Sequence, residues 1–156
     1  MEPESVFTLP GTESVWTMGP GRTAALKLKN SQTGQSVMAF EEITPAGVET
    51  PLHLHRDSDE VMYVLDGQYL FQVGDRVSEG GPGACAFMPR GIGHAWKCVG
   101  PGGGRAFFLY SPGNAGRVFE EAARSNITAP TSTDVDPQLE ELFERFGWEV
   151  VGPPPF

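Results

Sequence analysis

Glycine and proline interrupt this chain so often that most of it can hold only short, regular stretches. Its 156 residues include 20 glycines and 14 prolines, and breaks such as Pro10-Gly11, Gly19-Pro20-Gly21, Gly80-Gly81-Pro82-Gly83 and Pro89-Arg90-Gly91 divide it. Glycine permits positive φ and proline removes a backbone donor, so each cluster ends the element before it. Between the breaks lie β-prone runs at residues 23–29, 36–44, 60–65, 68–73, 84–88 and 105–110. Asp66-Gly67 between two such runs predicts a hairpin, with 68–73 as its return strand. Strands recurring about every eight to twelve residues predict an all-β sandwich or barrel.

Only the last third changes period. Residues 114–125 can form a short helix, and Asp136-Pro137 supplies an N-cap with proline at the first helical position. Leu139, Leu142, Phe143 and Phe146 then recur at helical spacing before Gly147, which predicts a helix packed on the outside of the barrel. A chain of this length makes one domain. Within it, 1–35 are N-terminal strands and turns packing on the barrel, 36–112 the barrel core, and 113–156 a C-terminal helical segment and tail.

A net charge of −9 and a pI near 4.7 leave no basic stripe for nucleic acid or an anionic membrane. The N-terminus is acidic with no apolar run behind it, so a soluble cytoplasmic protein is expected. Cys85 and Cys98 are too few for a disulfide scaffold and read as small buried apolar residues. Asn126-Ile127-Thr128 matches a glycosylation acceptor but lacks the secretory context that would use it.

The chain has 3 histidines. His53 and His55 stand one residue apart, followed by an acidic residue and framed by glycines. On a strand, side chains at i and i+2 share a face about 7 Å apart, so two imidazoles there can converge on one metal ion. Gly47, five residues, His53-Leu54-His55, four residues, Glu60, six residues, Gly67 is one pattern. Gly83, five residues, Pro89, one residue, Gly91, two residues, His94 is a second. Their spacings resemble the two motifs of the cupin superfamily, and the chain is similar to small monocupins related to quercetin dioxygenase.

That resemblance implies a double-stranded β-barrel, or jelly roll, with short C-terminal helices, and names His53, His55, Glu60 and His94 as metal ligands. Three imidazoles and a carboxylate suit one divalent transition metal, Fe, Ni, Mn, Co, Cu or Zn, and leave positions open on it. With no fourth histidine, a second complete site of this type cannot form. Asp57 and Asp59 are rival carboxylates, but they sit in the turn before the apolar run that Glu60 begins. The second motif closes on asparagine where this chain has Cys98; along one strand Cys98 lies about 13 Å from His94 and cannot share its ion.

Strand parity places Met62 and Val64 on the metal side with Tyr63 outside, and places Trp96 inside with His94. Trp96, Met62, Phe40, Phe108 and Tyr110 are the expected substrate contacts, with Phe71 and Met88 as further core aromatic and apolar candidates for the pocket. The resemblance implies a metal-dependent dioxygenase acting on a small aromatic or polyketide-like molecule, with Glu60 as ligand and general base. A non-oxidative isomerase, lyase or cyclase and a non-catalytic binding barrel are the alternatives. A homodimer is expected by analogy.

Overall fold

Period-two alternation builds two facing antiparallel sheets around one apolar interior. The computed structural model describes residues 2–125 and 127–156; the glycosylation-like Asn126 lies outside them. In chain order the elements are β1 (Val15–Gly19), β2 (Arg22–Leu28), β3 (Met38–Thr44), β4 (Leu52–His55), β5 (Asp59–Asp66), β6 (Tyr69–Val73), β7 (Arg76–Gly80), β8 (Cys85–Met88), β9 (His94–Cys98), β10 (Gly104–Ser111), α1 (Arg117–Ala122), α2 (Pro137–Arg145) and β11 (Trp148–Gly152). One sheet runs β1-β2-β3-β10-β5-β8 and the other β11-β4-β9-β6-β7. Every pairing is antiparallel. This is the jelly-roll barrel with short C-terminal helices that the resemblance implied.

The inner face of the first sheet is laid out in rows by register. Tyr110 on β10 stands opposite Glu60 on β5 and Met38 on β3; Phe108 stands opposite Met62 and Phe40; Ala106 stands opposite Val64 and Glu42. All are buried, whereas Tyr63 between them is exposed, as strand alternation requires. The same alternation corrects one expectation: Cys98 is buried but Cys85 is exposed, because β8 turns Met88 inward and Cys85 and Phe87 outward.

The expected hairpin at Asp66-Gly67 does not form. β5 pairs with β10 and β8, while β6 lies in the other sheet between β9 and β7. The turn is a corner between sheets. Gly67 has φ 86°, and a Cβ there would sit 2.5 Å from the Gly103 carbonyl oxygen, so close approach to that loop demands glycine. The actual hairpin is one turn later: Val73 pairs with Arg76 across Gly74-Asp75. Its second strand, β7, has no sequence signature because nearly all its residues are exposed and no alternation results.

The C-terminal segment is also less helical than expected. Asp136 caps α2 by accepting from the Gln138 backbone N–H at 2.8 Å, and Leu139 and Phe143 are buried. Gly147, at φ 80°, then turns the chain back, and β11 adds to β4 with Trp148 opposite His55 and Val150 opposite His53. Asp136→Ala is expected to lower stability by about 0.5–2 kcal/mol in urea unfolding, the ordinary worth of an N-cap. Among the described residues, no helix is long and apolar enough to cross a membrane.

Candidate metal centre

Three strands bring the centre together. β4 presents His53 and His55 on one face, β9 opens with His94 directly opposite His53, and Glu60 comes from β5 in the facing sheet. Their ligand atoms all lie within 4.8 Å of one another. The four residues are only 6, 1, 3 and 1% exposed for His53, His55, Glu60 and His94. His55 Nε2 and His94 Nε2 each lie 2.9 Å from Glu60 Oε2. On the far sides of the rings, His53 Nδ1 is 2.8 Å from the Pro51 carbonyl and His94 Nδ1 is 3.1 Å from that of Ile92. Asp59 is elsewhere, accepting hydrogen bonds from the Arg90 backbone and guanidinium at 2.9–3.1 Å, and neither it nor Asp57 joins the cluster.

Charge and tautomer fit a cation at this point. Burial, reinforced by the neighbouring imidazoles, pushes the pKa of His53 well down, and burial also lowers that of His55. Burial alone would raise Glu60, but hydrogen bonds and charge from His55 and His94 outweigh it and hold the carboxyl well below its usual range. For His53 and His55 the tendency is toward neutral rings, and for Glu60 toward an ionised carboxylate, the forms that ligate metals. With His94 Nδ1 held by the Ile92 carbonyl, Nε2 is the ring nitrogen that faces Glu60 Oε2. His55 Nε2, His94 Nε2 and Glu60 Oε2 thus converge on one point, where a single cation can share them. A backbone carbonyl on the outer ring nitrogen is the support that orients histidine ligands. The four residues can therefore hold a metal ion.

The centre opens onto a cavity of about 50 Å³. His53 and Glu60 form part of its wall, with Phe40, Trp96, Phe108 and Tyr110. Met62, although buried on the predicted face, does not line it: it belongs to the core, opposite Phe108 in the strand register. Parity decides the face of a strand but not the depth at which a side chain ends. Burial, together with the charges of Glu60 and Glu42, pushes the Tyr110 phenol well above its ordinary pKa, so it stays protonated beside the centre.

Residues that sequence reasoning missed complete the walls. Trp148 stacks on His53 at 5.4 Å between centroids and meets His55 edge-on at 4.2 Å. Phe143 stacks on its other side at 4.8 Å, and the indole Nε1–H donates to the Ala115 carbonyl at 2.9 Å. At the opposite end Arg22 and Glu42 supply polar lining. The sequence signal for Trp148 was its place just after the helix-stopping Gly147; for Arg22 and Glu42 it was inward parity on β2 and β3. Cys98 is buried with its Sγ 4.0 Å from the Thr44 carbonyl, outside the ligand cluster.

The sequence family described as Cupin domain matches residues 39–110, the segment that contributes all four clustered residues. Over that segment the chain is similar to the cupin family. Solved structures with this cupin fold include KdgF from Halomonas sp., at 18% identity and TM-score 0.62 over 70% of this chain and 94% of that one. An RmlC-like cupin from Shewanella frigidimarina NCIMB 400 is 24% identical with TM-score 0.61, covering 72% of this chain and 95% of that one. A predicted oxalate decarboxylase from Thermotoga maritima is 19% identical with TM-score 0.55, covering 58% and 79%. At these identities the likeness is one of fold. No curated protein sequence matches the chain.

Proposed function

We propose that this cupin is a metal-dependent enzyme acting on a small aromatic molecule with an ionisable hydroxyl, most directly as a dioxygenase. The observation that carries the reading is a buried His-His-Glu-His cluster opening directly onto an aromatic-lined cavity. His53, His55, Glu60 and His94 would hold one divalent transition metal, which supplies Lewis acidity and, if redox-active, access to dioxygen. The chain's own residues do the rest. Phe40 and Phe108, stacked at 4.8 Å, offer an apolar surface for a ring. The largely apolar walls lower the polarity around a bound ring, which strengthens polar interactions there. Glu60, ionised in this site, is the group placed to take the hydroxyl proton, and Tyr110 remains a donor.

Cavity size narrows the substrate. A cavity of about 50 Å³ favours a small substrate over a large one. A non-oxidative reaction is the second reading, supported by the decarboxylase named among the structures that share the fold.

Metal analysis of protein isolated without added metal, followed by oxygen uptake with catechol and other single-ring phenols, separates the readings. Fe, Ni, Mn or Cu at one per chain with substrate-dependent oxygen uptake is expected. Protein that keeps only zinc and consumes no oxygen with any of these compounds would sink the dioxygenase reading. Turnover at equal rate without oxygen selects the non-oxidative one, and saturable binding without product makes the barrel a binding protein.

A further inference from the structure

The end of the cavity remote from the histidines is polar, and no step described above uses it. Arg22 on β2 and Glu42 on β3 meet there, 5 and 1% exposed, with Arg22 Nε donating to Glu42 Oε1 at 2.7 Å. Thr44 Oγ1 donates to the same oxygen at 3.1 Å. Both bonds fall on Oε1, and among the described residues Oε2 receives none. Arg22 Nη1 is buried with no hydrogen-bond partner, and the guanidinium carbon lies 5.4 Å from the Trp96 ring centroid. An unmade bond at a buried charged donor is costly, and polar groups left unpaired in a ligand cavity are commonly completed by the ligand.

Register sets the reach. The Glu60 row and the Glu42 row are separated by the Phe108–Phe40 row, which puts them about 13 Å apart along the strands at 3.4 Å per residue. Side chains from both ends project into that interval, leaving room for one ring with a short arm. The pair is neutral as a unit, so it has no surplus positive charge for an anion, and a carboxylate arm would face Glu42.

We propose that Arg22 and Glu42 form a second subsite that anchors a neutral hydroxyl on the arm of a single-ring substrate. The hydroxyl oxygen accepts from Arg22 Nη1, and the hydroxyl proton is donated to Glu42 Oε2. This rests on the proposed aromatic-substrate reading and adds what the substrate carries at its far end.

Three catechols that differ only at position 4 test it: 4-methylcatechol, 3,4-dihydroxybenzyl alcohol and 3,4-dihydroxybenzoate. Protein loaded with one zinc per chain is titrated with each, and binding is read from quenching of tryptophan fluorescence, since Trp16, Trp96 and Trp148 all line the cavity. The alcohol is expected to bind about tenfold more tightly than the other two, the ordinary worth of hydrogen bonds to charged groups. Glu42→Gln uncovers the Arg22 charge and is expected to move the preference to the carboxylate by about tenfold, while Arg22→Met abolishes the advantage of the alcohol. Equal binding of all three by the wild-type protein, or carboxylate first, overturns the subsite and leaves the aromatic site standing. No binding of any of them overturns both. Should either variant fail to fold, the wild-type ranking alone decides.

Discussion

His94→Ala is expected to abolish stoichiometric metal binding. The substitution removes the Nε2 that lies 2.9 Å from Glu60 Oε2 and the ring that faces His53 at 4.4 Å. Mutations one shell further out typically cost 10–100-fold in metal affinity, so loss of a direct ligand should exceed about hundredfold. His53→Ala is expected to do the same, because its ring is fixed by the bond from Nδ1 to the Pro51 carbonyl and no other imidazole can take its place. Stability gives an independent readout. Metal at roughly a thousand times its Kd adds about 4 kcal/mol to the folded state, which for a domain of this size raises Tm by about 8–16 °C. Wild-type protein should show that increment and lose it on chelation, and both variants should lack it. Full metal occupancy of both variants, measured by elemental analysis, would overturn the ligand assignment.

Why these residues are readable in the text, and others are not, follows from how far apart in the chain the interacting groups lie. His53, His55 and Glu60 sit within one strand–turn–strand unit, so their mutual placement follows from strand period and a short loop. His94 is identifiable because the glycines and proline before it fix where β9 begins. Parity turned Trp96 inward, and it lines the cavity together with Phe40, Phe108 and Tyr110; Met62 obeys the same parity and ends in the core. The Asp66-Gly67 signal failed for a different reason. Turn chemistry specifies a backbone reversal, whereas the partner strand is chosen by sheet packing, and here the chain crosses to the other sheet. β7 escaped notice because an edge strand exposed on both faces has no apolar period. The Arg22–Glu42 pair joins two strands whose pairing no local pattern reveals.

Trp148→Ala is the substitution that tests whether the C-terminal strand holds the centre in place. Along β11 the burial alternates, with Trp148 and Val150 turned inward and Glu149 and Val151 exposed, so the strand lays one large ring over the back of the histidine pair. Trp148 is stacked between His53 and Phe143, with ring planes within 9° in both cases, and is tied to the turn before α1 through Ala115. Truncating this partly buried tryptophan leaves a gap behind the histidines, at a cost of up to about 3–5 kcal/mol. The histidine rings lose the surface that sets their orientation, so metal affinity should fall by about 10–100-fold, as for other supporting residues. Trp148→Phe keeps most of the stacking and deletes only the Nε1–H, leaving the Ala115 carbonyl short of a donor, for about 1–3 kcal/mol. Urea unfolding of the metal-free proteins and metal titration of each should rank wild type above the phenylalanine variant and that above alanine in both measurements. An alanine variant with wild-type metal affinity but the full stability loss would make β11 a clamp on the barrel alone. One that loses affinity together with stability makes the strand part of the site, since Trp148 links the C-terminal helix Pro137–Arg145, by way of Phe143, to the clustered histidines.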